Sequence, residues 1–204
     1  MKRLLLCATL LCTSACAQTT QTVPASGSAT PPPVIPPPSI AWVYHNGAMR
    51  WGGDWSFAAT PNYRDTTGMP LVGAFDIQIK STQWGGWLPF FNANCRGTNS
   101  LCFNTKAYTY IFFSAKATVA NQAFSVGFMS SGDTPDGLIL GGNGDTQLAQ
   151  YCSGGNNPAV GTWESCKIPL SAFKLTETSI LKFWISDQTG LPSNTWYLDE
   201  VGFQ

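Results

Sequence analysis

The chain has 204 residues, of which only 11% are charged, and its 11 basic and 11 acidic side chains cancel to a net charge of zero. With charge this sparse and balanced there is no basic patch, so nucleic acid is not an expected partner. Glycine and aromatic residues are plentiful, and no stretch carries a helical apolar period, which points away from helix and towards an all-β domain with many turns.

The first residues read as an address. Lys2 and Arg3 precede the apolar run Leu4 to Leu11, and Ala15-Cys16-Ala17 fits a signal-peptidase site with Gln18 as the new N-terminus. The run is too short to anchor the chain across a bilayer, and its style is bacterial. Lipoprotein processing at Cys16 is the second route. It is less favoured because Thr13 stands where leucine is usual. Residues 1–17 are therefore expected to be removed, and a lipid on Cys16 would be the only link to a membrane. Residues 18–40 are a Pro/Ser/Thr-rich linker ending in Pro31-Pro32-Pro33 and Pro36-Pro37-Pro38. Such a segment cannot bury a core and favours an extended polyproline conformation.

Residues 41–204 are expected to form one domain. Strands are expected near 41–45, 53–58, 71–80, 87–91, 107–116, 122–129, 147–150, 163–168, 180–186 and 194–203. Several alternate cleanly: Phe124, Val126 and Phe128 face one way, and Leu181, Phe183 and Ile185 face opposite to Lys182, Trp184 and Ser186. Gly-rich breaks at 131–133, 141–145 and 153–158 separate them. This many short strands in one domain predict a two-sheet antiparallel β-sandwich of jelly-roll type. Four cysteines fall in the domain, which allows three pairings. The local one, Cys95–Cys102 with Cys152–Cys166, is the one expected. A zinc site is disfavoured, because the spacings are wrong and His45 is the sole histidine.

The stretch from Phe75 to Phe91 concentrates the functional signal. Phe75, Ile77 and Ile79 alternate with Asp76, Gln78 and Lys80, and the strand then runs into Trp84-Gly85-Gly86-Trp87. Two large rings separated by glycines suggest a platform for flat ligands. Trp84 and Trp87 are the first candidates for stacking on a sugar ring. Trp184, on a polar strand face, is the next, with Gln78 and Lys80 as hydrogen-bonding groups beside the rings. Tyr108 and Tyr110 could line either sheet.

Several motifs in order resemble a known family. Gly161-Thr162-Trp163 through Ile168-Pro169-Leu170-Ser171-Ala172-Phe173 is similar to a segment of jelly-roll carbohydrate-binding modules, the galactose-binding-like sandwiches of secreted bacterial polysaccharide-degrading systems. Thr195 to Phe203 resembles their last strand. Val43-Tyr44-His45-Asn46-Gly47 with Trp51 and Asp54-Trp55-Ser56-Phe57 resembles the start of some members, and Trp84 to Phe90 sits where they carry a similar Gly-Gly motif. The resemblance implies a non-catalytic module that binds a polysaccharide. Stacking tryptophans favour a β-glucan, and the domain is expected to be secreted and monomeric. The resemblance also implies a core role for Trp163, and Trp196 and Trp55 are assigned mostly to structure, with Trp51 or Trp55 as a groove edge. Related modules hold a structural calcium, for which Asp199 would be the ligand, but His45-Asn46 stands where a carboxylate would help. No other cofactor is expected.

Two other classes share these features. A jelly-roll glycoside hydrolase or lyase would need two carboxylates facing one groove, ~5–9.5 Å apart. Glu164, Glu177 and Glu200 are not so placed by the strand pattern, which leaves Asp76 with Asp54. A surface adhesion or assembly protein would also expose aromatic rings.

Overall fold

The alternation seen in the sequence turns into strands that share one core. In the computed structural model, residues 39–50, 52–95, 102–142, 147–155 and 159–204 are described. The expected signal peptide with Cys16, the expected linker up to 38, Trp51 and parts of two Gly-rich breaks lie outside them. The strands are β1 (Ala41–His45), β2 (Ala48–Met49), β3 (Gly53–Asp54), β4 (Phe57–Asp65), β5 (Asp76–Trp87), β6 (Pro89–Phe90), β7 (Phe103–Asn104), β8 (Tyr110–Lys116), β9 (Phe124–Ser130), β10 (Pro135–Gly141), β11 (Trp163–Pro169), β12 (Ser179–Asp187) and β13 (Asn194–Phe203). Helix among the described residues is limited to three 3-10 turns of three or four residues. None of it is long and apolar enough to cross a membrane.

All strand pairs are antiparallel, and they build the two layers of a jelly-roll sandwich. The front layer runs β10-β9-β12, with the end of β5, β6 and β7 along the other edge of β12. The back layer runs β11-β8-β13. The first half of β13 pairs with the start of β5, whose far edge carries β4. Its second half pairs with β1. Strand β5 therefore belongs to both layers, crossing from back to front between Ser81 and Gly86.

The core lies between the layers. Trp87, Trp196, Tyr44, Phe113, Phe128, Phe173, Phe183 and Phe203 are its largest fully buried side chains. Phe183 meets Phe203 edge-on at 5.7 Å and Phe128 meets Phe173 at 4.7 Å, in the perpendicular geometry that aromatic quadrupoles favour. Each such side chain contributes about 1.5–3 kcal/mol by leaving water. The disulfides are Cys95–Cys102 and Cys152–Cys166, the local pairing expected.

Some elements differ from expectation. Strand β4 carries Pro61 at its centre, which reads as a breaker. It is tolerated because β4 is an edge strand and proline can sit where no partner needs its amide. Strand β10 was not foreseen, because Gly137 and Gly141 adopt positive φ within it and its register shifts. Residues 147–150 form no strand; Ala149–Tyr151 is a 3-10 turn.

Residues 71–75 belong to a loop rather than to the strand that starts at Asp76, and the loop 66–75 lies against the back layer. The Asp199 carboxylate accepts from the Leu71 and Val72 amides at 2.9 and 3.0 Å. Lys116 Nζ donates to the Gly68 carbonyl at 2.6 Å, and Asp65 accepts from Thr67 and Gly68.

Beneath this loop Asp76 is fully buried; no N–H or O–H group donates to its carboxylate, and the Asp65 carboxylate is its side-chain partner once Asp76 is protonated. Burial, reinforced by the negative charges of Asp65 and Asp199 and opposed by Lys116, pushes its pKa up to about 7. The unfolded chain releases this proton near 3.8, so the folded state holds the extra proton between those values. Stability from this group is thus complete below pH ~4 and is lost as pH rises towards ~7. Asp76→Asn, which cannot ionise, is expected to escape that loss. Its melting temperature should rise relative to the parent by ~3–8 °C between pH 4 and pH 8. Parallel profiles would contradict the assignment.

Candidate functional site

The outer face of the front layer holds a groove of ≈ 420 Å³. Its floor comes from β9 and β12, whose core-facing residues are Val126, Phe128, Phe183 and Ile185, so the intervening residues point outward. Trp184 lies across Gly127, where a Cβ would collide with the indole. That glycine lets the ring lie close to the sheet, 8% exposed, as part of the groove lining. Beside it Ser125 Oγ and Ser186 Oγ share a hydrogen bond of 2.8 Å. Gln188 Nε2 donates to both, at 3.0 and 2.9 Å.

Trp84 forms one wall. It sits in β5 at the crossing between layers with a left-handed φ of 62°, a conformation rare for a bulky residue. It remains 45% exposed. Gly190 packs against its ring from the 187–194 loop, 3.0 Å from where a Cβ would stand. Asp187 braces that loop by accepting from Thr189 and Asn194. Phe57 and Leu88 extend this wall, and Pro135 and Ile139 of β10 form the opposite one. Strand β10 is tied down through Asp136, which accepts from the amides of Thr176 and Glu177 at 2.9 and 3.0 Å. Burial alone would raise the Asp136 carboxyl, but these donors hold it below its ordinary value.

Further along β12, on the same face, Lys182 Nζ pairs with Asp133 at 2.6 Å and lies 4.5 Å above the Trp55 ring. Trp55 is 39% exposed and packs against Phe90. Its amide donates to Leu88.

The structure brings together Trp84 and Trp184. Trp87 is not with them: it is fully buried, edge-on to Phe183, and its Nε1 donates to Tyr63 Oη at 3.0 Å. A spacing of three along an extended strand puts two residues on opposite faces, so one ring points out and the other in. Gln78 and Lys80 do not line the groove either. They lie on the part of β5 that belongs to the back layer, opposite Tyr197 and Thr195, and Gln78 donates to Thr67 Oγ1.

Trp163 also departs from its expected core position. It is half-buried on the outer face of the back layer, donating to the Met69 carbonyl at 2.8 Å, with Lys116 5.6 Å from its ring centroid. Trp196 is in the core as expected. Tyr110 lies under Lys167 on the outer face of the back layer, and Tyr108 stacks on Phe103. Sequence reasoning missed Phe57 and Gln188, and it assigned Trp55 mostly to structure. The Asp54-Trp55-Ser56-Phe57 run and the alternation continuing past Ser186 were the available signals.

The donors around Asp199 do not fit a hard cation. Its Oδ2 already receives two backbone amides and its Oδ1 the amide of Glu200, groups that would repel a metal ion. Burial raises its pKa. Among the described residues no group of three or more histidine, cysteine or acidic side chains is placed to hold a metal. Among the described residues, the groove lining contains no carboxylate. Asp76 is buried under the 66–75 loop, and Asp54 accepts from the Ser56 amide and hydroxyl.

No family model matches the sequence, and no curated protein matches it. Solved structures do match the fold. The family 30 carbohydrate-binding module of a cellulosomal cellulase of Clostridium thermocellum superposes with a TM-score of 0.54 at 12% identity, covering 81% of this chain and 97% of that one. A point variant of the family 29 module CBM29-2 complexed with cellulohexaose gives 0.51 at 9% identity, over 81% and 89%. A second family 29 variant gives 0.51 at 10% identity, over 81% and 90%. The fold is that of jelly-roll carbohydrate-binding modules.

The two neighbouring tryptophans of β5 should therefore behave oppositely on truncation. Trp87→Ala removes a core ring and its bond to Tyr63, and is expected to cost ~3–5 kcal/mol in denaturant unfolding. Trp84→Ala should cost less than ~1 kcal/mol. Equal losses would contradict the placement.

Proposed function

We propose that this domain is a secreted, non-catalytic carbohydrate-binding module that holds a neutral polysaccharide along the front groove. The observation that carries this reading is the pairing of Trp84 and Trp184 around a floor of Ser125, Ser186 and Gln188, with no carboxylate among the described residues of the lining. A pyranose has an apolar C–H face that matches an indole and a rim of hydroxyls that matches serine and glutamine. Hydrolysis by paired acids would need two carboxylates in the groove. Asp133, beside the front face of β12, is engaged by Lys182.

The ligand we favour is a β-glucan, whose equatorial hydroxyls leave flat faces for stacking, with mannan and xylan as competitors. A structural neighbour is complexed with cellulohexaose, which keeps a β-glucan among the ligands of this fold without separating it from mannan. Two disulfides agree with an oxidising compartment, and hence with export by the N-terminal segment. Attachment through Cys16 would place the module at the cell surface. The domain acts as a monomer and needs no cofactor.

Affinity electrophoresis against soluble β-glucan, mannan and xylan, with reducing-sugar release assayed on the same panel, tests the reading. Retardation by β-glucan without release is expected. Trp84→Ala and Trp184→Ala should each weaken it by ~1–3 kcal/mol, roughly 5- to 150-fold. Release of sugar would mean an enzyme, and no retardation on any polymer would favour an adhesion protein.

A further inference from the structure

The outer face of the back layer carries a second and larger cavity, of ≈ 600 Å³. It lies over β8 and β11, opposite the front groove, because Phe112 and Ser114 alternate with the core-facing Ile111, Phe113 and Ala115. A volume of this size falls within the usual range for small-molecule sites.

The construction of its floor repeats that of the front groove. Ser114 and Ser165 face each other across β8 and β11, and their hydroxyls share a hydrogen bond of 2.9 Å. In the front groove Ser125 and Ser186 do the same across β9 and β12 at 2.8 Å. Small hydroxyl residues in register leave open space above the sheet while presenting donors and acceptors. In both places aromatic rings flank the pair: Trp184 and Phe57 in front, Phe112 and Tyr151 behind.

The walls are held firmly. The segment bearing Gln150 and Tyr151 is pinned to β11 by the Cys152–Cys166 disulfide and by the Ser153 amide, which donates to Ser165 at 3.0 Å. On the other side Glu200 has a left-handed φ of 52° at the bulge of β13. Its carboxylate is bonded by His45 Nδ1 at 2.7 Å, and that imidazole stacks on Trp42 at 4.5 Å. A non-glycine residue held at positive φ beside a cavity is a feature that clusters at binding sites. Among the described residues of the lining, the charges are one of each sign. Lys167 is bonded to Gln204 and lies over Tyr110, and Glu200 is bonded to His45. Both lining charges are already paired, and the hydroxyl, amide and carboxylate groups suit a neutral polyhydroxylated ligand.

We infer that this cavity is a second saccharide-binding site, taking one or two neutral pyranose rings, so that one domain engages sugar on both faces. It is a different site from the front groove, and its test separates the two. Cellobiose, mannobiose and the corresponding hexasaccharides are titrated into the isotopically labelled full domain, with amide shifts followed by NMR and stoichiometry by calorimetry. For at least one of these sugars the expected result is two separate sets of shifts, one around Trp184 and one around Ser114, Gln150 and Ser165, with two ligands per chain. Ser165→Trp, which fills the cavity, should reduce the stoichiometry to one and leave the front-groove affinity within twofold. Tyr151→Ala serves as a second variant, expected to lose only the back-face shifts.

Shifts confined to the front groove with a stoichiometry of one would overturn the second site alone. Shifts confined to the back cavity would support it and overturn the front-groove reading. No shift with any of the four sugars would overturn both.

Discussion

Gly85 and Gly86 sit where β5 leaves one layer of the sandwich and enters the other, and the neighbouring chains come too close for a side chain at either. A Cβ on Gly85 would strike the Ala58 carbonyl, and one on Gly86 would press on Ser186 and the Phe57 ring. The crossing is therefore tight enough for β4 and β12 to close on β5 from both sides. It also fixes what the flanking rings do. Trp87 turns inward to Phe183 and Tyr63, and Trp84 turns outward beside Phe57. One local constraint thus seals the core and sets one wall of the groove.

Much of the fold was legible because burial imposes alternation. Strands β9, β12 and β13 each bury a run of alternating apolar residues, such as Phe124, Val126 and Phe128, and a period of two is a strong signal when those residues are wholly buried. The disulfides were readable from locality. What escaped was structure whose cause lies elsewhere in the chain. Strand β4 exists because the edge of β5 was open to it, despite Pro61. Strand β10 depends on glycines that take positive φ.

The site was legible in part for the same reason. Trp184 could be placed from its own strand, and it lies in the groove. Trp84 and Trp87 were read as a pair standing clear of glycines, whereas the glycines admit neighbouring strands and the odd spacing separates the rings. Gln78 and Lys80 were joined to Trp84 by sequence continuity. The crossing breaks that continuity, since the residues before Ser81 belong to the back layer and those after it to the front. Trp163 kept its motif but not its expected depth, because the 66–75 loop covers it with the Met69 carbonyl in place of core packing. That loop is itself held by Asp199, which explains why a last-strand aspartate need not signal a metal.

If the front groove is where polysaccharide lies, bound sugar must shield the exposed indole that forms its wall. Oxidation by N-bromosuccinimide, with the modified tryptophans located by peptide mass spectrometry, measures this directly. Without ligand, Trp84 should react readily and the buried Trp87 and Trp196 should not. With saturating β-glucan oligosaccharide, the account predicts that Trp84 is protected. Trp84 oxidised at the same rate with and without bound sugar would contradict it.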